Sequence, residues 1–218
     1  MNKKMMLLGL AVAAVFAHPA AAWATEAHVT GITTFTGTGG TASTQATGEP
    51  EFSAIETHIT GTFDSGSSTT GAIALDFTEV KAHFLGFTTE CHTAGQVAGT
   101  VTTSGTFHII TTSTNTPGIL LTPVTTTSIC ANALRTEVKG SVIGTITSPE
   151  CGNSSNELTV SFASTGTTQT DLEYTGIKYD LVGNTETSAG ATTGSPFTTG
   201  LKASMTFSSS TAGTLSCT

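Results

Sequence analysis

Leu201-Lys202-Ala203-Ser204-Met205-Thr206-Phe207 puts an apolar side chain at every second position and a polar or small one between. Successive side chains of a strand point to opposite faces, so this stretch reads as a strand with one dry and one wet face. The same period recurs upstream. Ile73, Leu75 and Phe77 alternate, as do Leu158, Val160 and Phe162, and Ile177, Tyr179 and Leu181 within a strand over 170–182. Residues 136–147 read as one strand with Val138, Val142 and Ile146 in phase. Turn-forming clusters such as 64–70 and 111–118 separate these runs. The pattern predicts an all-β chain, a single antiparallel β-sandwich or barrel of about ten to twelve strands with two disulfides.

Several local features refine this. The apolar phase switches between Phe77 and Val80, which predicts a bulge or bend. Ser104-Gly105 suggests the tight turn of a hairpin between 96–103 and 106–112. Pro123 lies inside an apolar run, which suggests an edge strand. Residues 183–200 form the longest stretch without a strand pattern.

Threonine accounts for 49 of the 218 residues, while charged residues are 10% and aromatic residues 6%. Some of this threonine lies in loops, and the rest alternates with Val, Ile, Leu and Phe. Threonine is β-branched and suits a pleated surface. It therefore reads as the wet face of strands, and helical bundles are excluded.

Residues 1–24 read as a secretory signal peptide. Lys3 and Lys4 form a basic start, Met5 to Ala17 an apolar segment, and Ala22-Trp23-Ala24 a cleavage site after Ala24. The apolar segment is shorter than the ~20 residues a membrane helix needs. Residues 25–218 are then one all-β domain, secreted or at the cell surface. Loss of Lys3 and Lys4 takes the formal charge from −8 to about −10. Nucleic acid demands a basic footprint, so it is excluded as a partner. No cofactor is called for, and no membrane span is expected in the mature chain.

An exported chain with Cys91, Cys130, Cys151 and Cys217 should carry two disulfides. Cys130 and Cys151 flank the strand over 136–147. At ~3.3 Å per residue that strand holds its ends roughly 40 Å apart, so these two should not pair. The favoured pairing is Cys91–Cys151 with Cys130–Cys217.

Catalytic motifs are thin. Phe63-Asp64-Ser65-Gly66-Ser67 shares three residues with the nucleophile motif of chymotrypsin-like proteases, yet Asp, Ser and Gly are also what a turn uses. Glu56 and His58 share one face of a strand, and His83 and His108 sit in other strands. Imidazole and carboxylate together suit a divalent metal, so Glu56, His58, His83 and His108 are the candidate ligands. Asp171-Leu172-Glu173 is the densest acidic stretch for calcium, but it lacks a calcium-loop pattern.

Gly99-Thr100-Val101-Thr102, Gly144-Thr145-Ile146-Thr147 and the final strand ending at Cys217 carry a compositional resemblance. With them the chain resembles the Thr/Gly-rich, Cys-poor, all-β exported proteins of bacteria, actinobacteria especially. The resemblance implies a secreted β fold and transfers no functional residue. The expected function is a secreted, non-enzymatic surface, matrix or binding protein. It would act on an extracellular surface, polymer or protein, with self-association open to it. The alternatives are a small-ligand-binding β-barrel, with Phe77, Phe84, Phe107 and Phe162 as lining, and a secreted hydrolase or metal-dependent enzyme.

Overall fold

The computed structural model describes residues 26–45, 49–131, 134–165, 168–169, 172–187 and 196–217. The predicted signal peptide and cleavage site, and Asp171, lie outside the described residues.

The described chain is built of strands. They are β1 (His28–Thr30), β2 (Thr34–Gly39), β3 (Ala42–Gln45), β4 (Glu51–Ala54), β5 (Glu56–Phe63) and β6 (Thr70–Thr78). Then come β7 (Lys81–Phe84), β8 (Phe87–His92), β9 (Val101–Thr111), β10 (Pro117–Cys130), β11 (Leu134–Ser148) and β12 (Ser154–Phe162). The last six are β13 (Ser164–Thr165), β14 (Thr168–Gln169), β15 (Glu173–Tyr174), β16 (Ile177–Lys178), β17 (Leu181–Thr187) and β18 (Phe197–Ser216). Fourteen of them form one antiparallel sheet. The strand count exceeds the ten to twelve expected because long runs are broken by bends: 51–63 is β4 and β5, parted at Ile55.

The pairings close on themselves, which makes the sheet a barrel. One ring runs β18–β2–β5–β6–β9–β10–β11–β12 and back to β18. A second runs β18–β3–β4–β7–β8–β10–β11–β17 and back to β18. The long strands β10, β11 and β18 belong to both. The barrel therefore has two tiers, and on one side each wall is a chain segment bent between them. The predicted phase switch is one of these bends: Glu79 adopts φ 51° between β6 and β7. Backbone bonds stitch the seam, with Val80 N–H donating to Gly99 O at 2.9 Å and Cys91 N–H to Val80 O at 3.0 Å.

Most buried apolar side chains point inward. One core runs from Ala42, Ala54 and Ala82 to Phe107, Phe162 and Leu215. In the β2 tier Phe35 stacks edge-on against Phe63, Phe107 and Phe207, with ring centroids 5.3–6.0 Å apart. Gly61 faces this cluster, and a Cβ there would come within 2.1 Å of the Phe35 ring. Outward positions carry Thr, Ser and charged groups. That is the reverse of a membrane barrel, whose outer face is an apolar band. Among the described residues no helix is long and apolar enough to cross a membrane.

The disulfides are Cys91–Cys130 and Cys151–Cys217, which corrects the pairing favoured from sequence. Cys91 and Cys130 stand directly opposite each other where β8 meets β10. That contact is invisible until the barrel closes. Cys130 and Cys151 remain unpaired with each other, as the length of β11 requires.

Three further expectations are corrected. Ser104-Gly105 is no turn, because β9 runs straight through it. Gly105 is there because a Cβ would meet Pro123 O at 2.4 Å. Pro123 does not mark an edge, since β10 pairs with β9 and β11 on either side. Both registers shift around it, and such a bulge frees proline from a ladder bond. Residues 170–182 form no single strand. Thr175 (φ 52°) and Gly176 (φ 75°) turn the chain between β15 and β16. There Leu172, Tyr174 and Tyr179 cover Ile110, Leu120 and Ile143 on the outside of the barrel.

Candidate functional site: the mouth of the barrel

The four candidate metal ligands do not meet. His58 and Glu56 form an exposed pair on β5, 3.6 Å apart. His83 Nε2 lies 2.9 Å from Ser53 Oγ and its Nδ1 3.0 Å from Thr88 Oγ1, so hydroxyls from both flanking strands take its nitrogens. His108 Nε2 sits 3.3 Å from Glu26 Oε2. His58 and Thr102 both lie opposite Asp76, and His108 is six residues further along β9, roughly 20 Å at strand rise. Among the described residues no three His, Cys, Asp or Glu groups gather as a metal site would need.

Asp64 and Ser67 hold the β5–β6 turn. Thr70 Oγ1 donates to Asp64 Oδ2 at 2.8 Å, and Ser67 N–H donates to Asp64 O at 2.9 Å. The protease-like triplet is thus a turn.

Glu26, His108 and Tyr174 form a polar cluster outside the β9 wall. Tyr174 donates its hydroxyl hydrogen to Glu26 Oε1, and its ring stands edge-on to His108 with centroids 5.5 Å apart. Burial pushes the Tyr174 phenol above its ordinary range, and the hydrogen bond to Glu26 and its charge push it further. The cluster ties the start of the described chain to the outer pad.

The chemistry-bearing feature lies elsewhere, at the end of the barrel where β7 turns into β8. Ala82 stands opposite Thr89, and Phe84 opposite Phe87. By strand alternation Ala82 and Phe84 belong to the inward set with Phe52 on β4. Yet Phe87 is 77% exposed and Leu85 at the turn 80%. Among the described residues nothing fills the barrel at their level. A cleft of about 350 Å³ opens there, and Phe52, Phe84, Leu85, Phe87 and Leu134 give it apolar walls. Thr136, almost wholly buried, contributes a hydroxyl that lies 3.2 Å from that of Thr185. Among the described residues none that lines the cleft is charged.

The turn itself is unusual. Leu85 (φ 50°) and Gly86 (φ 81°) are both left-handed, as a two-residue hairpin of primed type requires. Asn or Gly usually fills the first position, because an L side chain costs about 1–2 kcal/mol there. Here it is a large apolar residue that gains little burial.

Phe52 also lines a second space, an apolar cavity of about 90 Å³ deeper in the barrel. Ala42, Ala54, Leu75, Val101 and Val142 are among its walls. Of the four phenylalanines proposed as barrel lining, Phe77 borders this inner cavity and Phe84 the cleft. Phe107 and Phe162 lie in the packed core, both 1% exposed.

Sequence reasoning missed the mouth. The signal was Phe84-Leu85-Gly86-Phe87, a turn whose flanks are apolar where the β5–β6 turn is Asp64-Ser65-Gly66-Ser67. Compared with known proteins, the chain matches no family model, no curated protein and no solved structure.

Proposed function

We propose that this chain is a secreted, non-enzymatic binding protein that takes an apolar ligand at the mouth of its barrel. One observation carries the reading: inward-set Phe87 stands 77% exposed over an uncharged cleft of about 350 Å³. Ligand sites are commonly apolar clefts of ~300–1,000 Å³, and the mouths of β-barrels are a preferred place for them. Secretion is supported by the basic and apolar segments ahead of Ala24 and by the two disulfides.

Fluorescence titration with Nile red, a neutral apolar dye, tests the site. Saturable enhancement is expected with the wild type and a loss of at least tenfold in affinity with Phe87→Ser. Thr60→Ser on the outer wall should bind as the wild type does. Absence of saturable binding, or equal binding by Phe87→Ser, overturns the reading.

The wider role at a surface or matrix draws on a different feature. Thr36, Thr60, Ala74, Ser104 and Thr125 stand opposite one another in a row across β2, β5, β6, β9 and β10. With strands ~4.8 Å apart, the row offers four uncharged hydroxyls, interrupted at Ala74, to a polymer or surface. Sedimentation with insoluble polysaccharide tests this role. Retention that Thr36→Val and Thr60→Val abolish supports it, and no retention counts against it.

A further inference from the structure

The cleft and the inner cavity share one wall, the Phe52 ring. We propose that Phe52 is a movable divider, and that the ligand is a neutral, elongated hydrocarbon carrying one hydroxyl group. Its tail passes Phe52 into the inner cavity while its polar end stays in the cleft. This rests on the mouth being the binding site.

The argument has three parts. The first is space. The inner cavity of about 90 Å³ has room for about three methylene-sized groups, taking ~30 Å³ for each. It is bounded by small residues on the two strands nearest Phe52: Ala42 and Ala54 stand opposite each other on β3 and β4. Phe52 itself is only partly buried, and it borders both spaces, so displacement of its ring would join them.

The second part is charge. Among the described residues no Lys, Arg, His, Asp or Glu lines either space. A carboxylate or ammonium taken there would lose its hydration without a counter-ion, which costs several kcal/mol. A neutral head group carries no such cost.

The third part is polarity of the right kind. The Thr136 hydroxyl lies in the cleft wall and pairs with that of Thr185. A hydroxyl has one hydrogen to donate and two lone pairs. Whichever of the two donates, the Thr136 oxygen keeps a lone pair that can accept a hydrogen bond from a ligand hydroxyl. The aromatic wall of Phe52, Phe84 and Phe87 lies on β4, β7 and β8, whereas Thr136 lies on β11. The cleft thus combines aromatic walls with a few threonine hydroxyls, Thr88 and Thr89 on β8 and Thr136 on β11.

Displacement of Nile red by a series of n-alkanols tests this, with the matching carboxylates and amines alongside. Alkanols should compete, and affinity should rise about fourfold per methylene until the inner cavity is full, from ~0.8 kcal/mol per buried methylene. Carboxylates and amines of equal length should compete at least tenfold less well. Ala54→Leu fills the inner cavity without touching the cleft. It should weaken the longest alkanols about tenfold and leave the shortest unchanged. Ala42→Val fills less of the same space and serves if Ala54→Leu does not fold. Phe52→Ala should bind long alkanols at least as tightly as the wild type.

Alkanols whose binding is indifferent to both cavity-filling variants would confine the ligand to the cleft and overturn the inference alone. So would carboxylates that compete as well as alkanols. If no alkanol of any length displaces the dye while Phe87→Ser loses it, the inference alone falls; if Phe87→Ser also binds the dye normally, the mouth is not the site and the underlying reading falls with it.

Discussion

Leu85→Asn should make the protein more stable and a poorer binder at once. Leu85 holds φ 50° with its side chain 80% exposed. The left-handed conformation costs an L residue about 1–2 kcal/mol, and Asn escapes much of this by hydrogen bonding locally. Against this gain stands the burial Leu85 does achieve. A fully buried leucine is worth ~1.5–3 kcal/mol, so the fifth that is covered here contributes roughly 0.5 kcal/mol. The balance is a gain of about 1 kcal/mol. For a chain of this length that is an upward shift in Tm of about 2–4 °C. Calorimetry suits the measurement, because Trp23 is the sole tryptophan and lies in the predicted signal peptide. Nile red affinity should fall several-fold in the same variant, since Leu85 borders the cleft. A residue that weakens the fold and strengthens binding is one kept for function. A Tm that stays level or drops would refute the strain argument. A higher Tm with unchanged dye binding would refute the role of the turn in the site.

Three other outcomes can be measured. Phe107→Ala removes a ring 1% exposed that packs on Phe35 and Phe63. It should cost about 3–5 kcal/mol, read as a lower urea midpoint with an unchanged slope. Replacing Cys91 and Cys130 with Ser should cost ~3.9 kcal/mol, and Cys151 and Cys217 ~4.3 kcal/mol, from closed loops of 39 and 66 residues. A gap much wider than this between the two in urea would show that native-state packing, and not chain entropy, sets their value. Tyr174 has its folded pKa raised, first by burial and then by Glu26. Its contribution is therefore complete below the free phenol value of about 10 and is lost as pH rises beyond that. Alkaline unfolding followed by circular dichroism should be less steep above pH ~10 in Tyr174→Phe than in the wild type.

What the sequence revealed was whatever depends on neighbours along the chain. The alternation at Leu201–Phe207 marks inward and outward faces correctly, and Ala203, Met205 and Phe207 are buried. The phase switch at 77–80 is a true bend. What it hid depends on contacts across the barrel. Gly105 resembles a turn residue, yet the space it leaves is for Pro123 O on the next strand. Cys91 and Cys130 pair because β8 reaches β10 only when the second ring closes. Pro123 is read as an edge by any rule that assumes an unbroken ladder, and the bulge beside it removes that assumption. The candidate histidines failed for the same reason: Glu56 and His58 share a strand face, as alternation says, but nothing along the chain states how far His108 lies from them. The mouth was hidden in a different way. Phe84 and Phe87 look like any other core residues until it is known that the core ends beneath them.

The two-tier barrel has a consequence for how the molecule breathes. At the mouth β3, β4, β7 and β8 have four to six residues each and β17 seven, while the other tier holds the packed phenylalanines and strands of six to eleven. Elements with few buried contacts open at lower free energy than the global transition. Amide hydrogens of Phe52, Ala82 and Thr89 should therefore exchange through a local opening, while those of Ile59, Ile73 and Phe107 wait for complete unfolding. Because β10, β11 and β18 run through both tiers, such an opening leaves the register of the barrel in place. The molecule can loosen at one end without losing the template on which that end closes again.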